Sequence, residues 1–307
     1  MKEFVFKNKV YGFPEAWEEL TAEEFITVCG LLQRFVKGEI DMDTFKFLAV
    51  GHITGYKPHW WPPKRKRQEV NLLLLAEKFN FMFDVVDTEA KLNLFFRENI
   101  ISKFEYNGFV FTGPMYKISE SNNQYLLDTD MTAEQFINAI ENYNLYTKSG
   151  SLEDLRRLVS KLYKVQSTKY DEKKYKVQST KYKVENERFE VGLQIAGVNA
   201  LPEHFMFGVF LVFKSFMEFI TNKSVFKLLW GGEPTGKLNL GIGEMVLGLV
   251  KQGYGTANEV GGMVITDFMF AMLKERFDGA REMKLYDKTT AEIVKATGLP
   301  ENVILEL

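Results

Sequence analysis

The sixteen residues from Phe205 to Ile220 are the strongest apolar run in the chain, and they hold six of its 27 Phe. A segment this apolar has to leave water. It contains Lys214 and Glu218, and it falls short of the ~20 mostly apolar residues that cross a bilayer. It therefore reads as a helix buried in a protein interior, with rings that fill core rather than line an aromatic ligand box. A fold organised around such a helix needs other apolar faces to cover it, and these recur at helical spacing.

Thr21 and Glu24 have the spacing of a capping box, and Phe25, Val28, Cys29, Leu32, Phe35 and Val36 follow on one helical face. Gly38 ends that helix, and Asp41 or Asp43 opens the next, with Phe45, Leu48 and Ala49 inward. Thr132 and Gln135 repeat the capping box, inside a segment (MTAEQFI) that parallels LTAEEFI at 20–26. Ser151 opens a helix through Leu155, Leu158, Val159 and Leu162. Further helices are expected over 69–83, from Asn222 through Trp230, over 257–277, and from Thr290 to Gly298 with Thr290 as cap. The last of these, TAEIVKATGLPENVI, has the look of a helix-turn-helix start, but no basic recognition helix follows, so a packed tail is expected.

Strand signals are few. Residues 3–13 alternate weakly around Lys7-Asn8-Lys9, and 102–118 alternate around Asn107-Gly108, a hairpin turn. The fold class is thus mainly α with short β-hairpins: a helical N-terminal half and a Phe-rich helical C-terminal half. Expected boundaries are 1–162, a 163–190 insertion or linker, 191–286 and a 287–307 helical tail.

Within 163–190 the octet YKVQSTKY occurs twice, at Tyr163–Tyr170 and Tyr175–Tyr182. Two copies are too few for a solenoid. A hairpin would set Val165 opposite Thr180, but would also oppose Lys164 with Lys181 and Lys169 with Lys176, which weakens pairing. The preferred reading is a flexible or helical tandem insertion, with too few apolar residues to offset chain ordering.

Composition narrows the chemistry. One Cys excludes an intramolecular disulfide and a Cys-based zinc site, and His52, His59 and His204 share no motif. Cys29 lies on an apolar face and reads as an inert thiol. Gly241-Ile242-Gly243 lacks the third glycine and the frame of a dinucleotide loop. No HExxH, GxSxG or CxxC is present. The expectation is a non-enzymatic protein with no cofactor and no metal site. The net charge of −2 hides two basic patches, Lys64–Arg67 and 163–186, each contributing +4 to an otherwise acidic chain of −10.

The ligand-like features are therefore Trp60 and Trp61 on a Pro-bounded loop, the tetrad Lys64, Arg65, Lys66 and Arg67, and the octet tyrosines Tyr163, Tyr170, Tyr175 and Tyr182. Adjacent Trp rings suit a protein contact, though one sealing the core and one covering a helix end is the plainer reading. Alternating Tyr and Lys suit stacking on single-stranded nucleic acid, but tandem duplication explains the pattern without any ligand, so neither nucleic acid nor a membrane is the expected partner.

Several segments together resemble uncharacterised bacteriophage and prophage tail-module proteins. They are FPEAWEELTAEEF, the passage FTGPMYKIS…MTAEQFINAIENY followed by LRRLVSKLY, and GIGEMVLGLVKQGYGTANEV. Pro14, Trp17, Thr21, Gly113, Pro114, Phe136, Leu162 and Tyr163 occupy the family's places. The resemblance implies a structural or tail-assembly role with other phage tail or virion proteins as partners. The implied location is the cytoplasm of a bacterial host, with association with the virion open. It transfers no catalytic residues. The alternative function is a nucleic-acid-associated protein using the Lys/Tyr-rich patches.

Overall fold

The computed structural model describes every residue except 1, 7–8, 56–74, 77–80, 87–88, 123, 169–179 and 231–241. The fold is mainly α with minor β: eleven α-helices among the described residues, with short antiparallel strand pairs. Two compact units divide the chain, and each is built from two separate stretches. The first combines Met1–Gly113 with Gly150–Phe213, and the second combines Pro114–Ser149 with Lys214–Leu307. The sequence boundaries cut the chain into consecutive pieces, whereas these units interleave.

In the first unit, strands β1 (Lys2–Phe6) and β2 (Lys9–Phe13) form the expected hairpin, with Lys2 opposite Phe13. Helix α1 (Ala22–Val36) starts at the expected capping box: Glu24 N–H donates to the Thr21 hydroxyl, and Thr21 N–H donates to the Glu24 carboxylate. Trp17, on the turn before it, is buried and donates its indole N–H to the Asn93 carbonyl at 2.8 Å. Its ring meets Phe25, Phe81 and Phe96 edge-on at 6.0, 5.4 and 5.0 Å. Asp41, not Asp43, caps helix α2 (Met42–Ile53).

The helix expected over 69–83 falls mostly outside the described residues. Its expected end is instead strand β3 (Phe83–Val86), paired with β4 (Glu89–Leu92). Val85 and Val86 are β-branched and favour the extended chain. Strands β5 (Lys103–Tyr106) and β6 (Phe109–Thr112) meet at Asn107 and Gly108, both at positive φ (50° and 78°), as a tight hairpin turn requires.

In the second unit, β7 (Tyr116–Ser121) and β8 (Gln124–Thr129) form a hairpin that the sequence reading did not mark. Helix α3 (Ala133–Ser149) follows with its capping box formed by Thr132 and Gln135. Back in the first unit, α4 (Leu152–Leu162) and strand β9 (Lys164–Ser167) lead to α5 (Thr180–Ala200). The Phe-rich run is α6 (Glu203–Glu218), and the division between the units falls within it, after Phe213.

The rings of α6 fill core, as expected. Phe205 lies 4.3 Å from Phe104 in the first unit. Phe216, fully buried, lies 5.0 Å from Tyr116 and 6.1 Å from Phe136 in the second. With the turn that follows, Glu203–Lys223 is long and apolar enough to cross a membrane, yet 67% of its most apolar window is buried inside the protein.

Three helix expectations are corrected. Residues 219–223 continue α6 as a π-turn, so Ser224 rather than Asn222 caps the next, 3-10 segment (Val225–Leu229). The helix expected over 257–277 is two: α8 (Ala257–Gly262) and α9 (Ile265–Leu285), preceded by α7 (Ile242–Lys251). Gly261-Gly262 ends α8, and Val264 takes an extended conformation to bridge Thr132. Through that bridge Ala133 N–H donates to the Met263 carbonyl and Ile265 N–H to the Met131 carbonyl, each at 2.8 Å. Two helix starts thus satisfy one another's unpaired first-turn amides. Thr289, not Thr290, caps α10 (Thr290–Thr297); Gly298 ends it in the left-handed region as expected. Ile293, Leu299 and Ile304, the last on α11 (Glu301–Glu306), pack with Ala280 in one apolar cluster.

Candidate functional site

Of the sequence-predicted interaction residues, Trp60, Trp61, Lys64, Arg65, Lys66, Arg67, Tyr170 and Tyr175 lie outside the described residues. Tyr182 lies in α5, with its side chain undescribed. Tyr163 is described, and it is a core residue at 2% exposure. Its ring presents no face on which a base could stack, so the first octet's leading tyrosine is no nucleic-acid platform. Of the preferred reading, a flexible or helical tandem insertion, the flexible form does not hold over Lys164–Ser167, which form a strand; residues 169–179 lie outside the described residues, and from Thr180 the chain is helical. The hairpin reading fails too, because Val165 pairs with Phe111 and Thr180 opens a helix.

The first octet is instead the third strand of a sheet ordered β5-β6-β9. Strand β9 runs antiparallel to β6, with Thr112 opposite Lys164 and Phe109 opposite Ser167. Tyr163 precedes the strand and continues directly from α4, since its N–H donates to the Val159 carbonyl at 2.9 Å. Its hydroxyl donates to the Ile101 carbonyl at 3.1 Å. Burial pushes the phenol well above its ordinary pKa, outweighing a hydrogen bond with Asn99 that acts the other way.

Two glycines make room for the strand. A Cβ on Gly113 would come within 2.5 Å of the Tyr163 ring. A Cβ on Gly197, in α5, would collide with a Val165 methyl. Both places therefore require a residue without a side chain. At the far end Thr168 donates its N–H and its hydroxyl to the Gly108 carbonyl, at 2.9 and 3.0 Å.

The outer edge of β9 is met by Gln194 of α5. Its side-chain oxygen accepts from Val165 N–H at 3.0 Å. Its amide nitrogen donates to the Ser160 and Tyr163 carbonyls, at 3.1 and 2.6 Å. One amide thus holds the end of α4 and the start of β9. Sequence reasoning found neither Gln194 nor Gly197; a lone Gln on a helix carries no local signal. Gly113 is legible as the Gly-Pro break that closes the strand stretch and as a place in the resemblance, but not as the space for Tyr163.

This seat can bind a strand. It takes one large aromatic residue, then an apolar residue two positions on, then a hydroxyl residue three beyond. It holds no reacting group. Elsewhere, Cys29 is fully buried, and desolvation pushes its thiol up and away from the reactive thiolate. Asp41, Glu259 and Glu292 are held below the usual carboxylate range, chiefly by hydrogen bonds from Thr44, Thr256 and Thr289 respectively. Those are helix-capping bonds. Among the described residues no three His, Cys, Asp or Glu side chains gather to hold a metal ion.

No protein-family model, no curated protein and no solved structure matches the chain.

Proposed function

We propose that this protein is a non-enzymatic phage structural or tail-assembly protein that acts through protein–protein contacts in a bacterial host cell. The observation that carries the reading is an apolar helix face turned to solvent. Val191 and Ile195 of α5, one helical turn apart, are 59% and 57% exposed. Gly192 and Ala196, beside them on the same face, are exposed as well. Two branched apolar residues alternating with two small ones form a ridge and a groove into which another helix packs closely. The resemblance of FPEAWEELTAEEF, MTAEQFINAIENY and GIGEMVLGLVKQGYGTANEV to tail-module proteins supplies the class of partner.

The test is cross-linking and pull-down with phage tail-tube and tape-measure proteins, using wild type and Val191→Asp/Ile195→Asp. Wild type is expected to capture one of them, and the double variant to lose it while keeping its circular dichroism spectrum. A wild-type protein that stays monodisperse and ignores both would refute the reading.

A further inference from the structure

The groups that seat the first octet are the Ile101 and Gly108 carbonyls, strand β6, the spaces at Gly113 and Gly197, and the Gln194 amide. All lie outside both octets. Everything they touch within the octet recurs twelve residues later: Tyr175 for Tyr163, Val177 for Val165, Thr180 for Thr168. A seat that reads only these side chains and the strand backbone has no means of telling the copies apart.

We propose that the duplicated octet is a register switch: the second copy, Tyr175–Tyr182, takes the same seat when the chain slips by twelve residues, and the first copy loops out between α4 and the sheet. Chain length permits it. In the slipped state Val177 would pack at Gly197 and Thr180 would lie about 10 Å further along the strand. The fourteen residues from Thr180 to Gln194 reach up to about 46 Å when extended, so they close that gap after the first turns of α5 unwind. Lengthening the α4-to-strand connection by twelve residues adds a loop, and loop closure rises only slowly with length.

Two features make the first copy the resident one. Tyr163 N–H continues α4 through its bond to the Val159 carbonyl, a bond that Tyr175 at the end of a loop does not inherit. Thr180 starts a helix in the resident state, and slipping gives up that helical turn. The second copy is therefore a reserve strand, populated when the first is damaged or displaced.

The test compares Val165→Asp with Val165→Asp/Val177→Asp by thermal unfolding and amide exchange. The aspartate also makes peptides from the two copies distinguishable by mass. The single variant is expected to lose protection over 165–168 and gain it over 177–180, with less than half the fall in Tm that the double variant shows. Equal falls in Tm, or loss of protection at the first copy with no gain at the second, overturn the proposal. So does gain that is confined to a dimer on size exclusion, since the second copy would then come from a neighbour. Deleting residues 163–174 joins Leu162 directly to Tyr175 and needs no buried charge. That chain is expected to fold with residues 176–179 protected and a Tm within about 3 °C of wild type; failure to fold overturns the switch.

Discussion

Gln194→Ala removes the clamp on β9 and leaves almost everything else in place. The substitution strips Val165 N–H of its acceptor and the Ser160 and Tyr163 carbonyls of their donor. Three hydrogen bonds at a net ~0.5–1.5 kcal/mol each would amount to about 1.5–4.5 kcal/mol. All three sites are part-buried, so water recovers some of this, and Ala in place of Gln returns a few tenths of a kcal/mol of helix propensity. The expected loss is about 2 kcal/mol, or roughly 4–8 °C in Tm for a unit of this size. Calorimetry of Gln194→Ala against Asn199→Ala, exposed on the same helix, isolates the clamp from a generic helix change. Gln194→Glu should be worse than Ala at neutral pH, because its carboxylate would face two carbonyl oxygens with no proton to donate. Acid that protonates the carboxyl should recover part of the loss. Either octet in the seat would use Gln194, so register slip offers no rescue. A Tm shift below 1 °C, or one matching Asn199→Ala, would refute the clamp.

Gly197→Ala should destabilise by about 1–3 kcal/mol through overpacking against Val165, and adding Val165→Ala should restore part of it in urea unfolding. Phe216→Ala empties a fully buried site between Tyr116 and Phe136, with an expected cost of about 3–5 kcal/mol by the same measurement. The carboxyls of Asp41, Glu259 and Glu292 have folded-state pKa values below their unfolded ones. Their stabilisation is therefore complete above the unfolded value, near pH 4, and disappears as pH falls through the lowered folded values. Glu292→Gln should flatten the acid limb of a Tm-against-pH curve.

What the sequence made legible was local chemistry. The boxes at Thr21/Glu24 and Thr132/Gln135 and the Asn107-Gly108 turn involve groups within a few residues of each other, so spacing alone specifies them. The misreadings have distant causes. The break after Gly262 exists because Val264 bridges Thr132, and no pattern within 257–277 encodes a partner that far away. Residue 83 falls in an apolar run that suits helix or strand equally by periodicity, and pairing with Leu92 decides it. For the site, the octet's repetition was visible but its structure was not. Tyr163 and Val165 become core only because Gly113 and Gly197 leave space for them. Thr180, the counterpart of Thr168, opens a helix instead, so the octet itself does not carry that information.

The interleaved arrangement of the units has a consequence for synthesis on the ribosome. The first unit is complete in sequence once Phe213 has been added. The segment Pro114–Ser149 has by then been made, but its partners, Phe216 and the chain around Val264, have not. At ~5–20 residues per second, residues 150–307 take roughly eight to thirty seconds to follow. Until Phe216 is added Tyr116 and Phe136 lack that core partner, and through most of the interval the Ala133 amide lacks its acceptor at Met263. The nascent chain thus carries an amphipathic hairpin and helix waiting for their second half, beside a first unit that folds ahead of them.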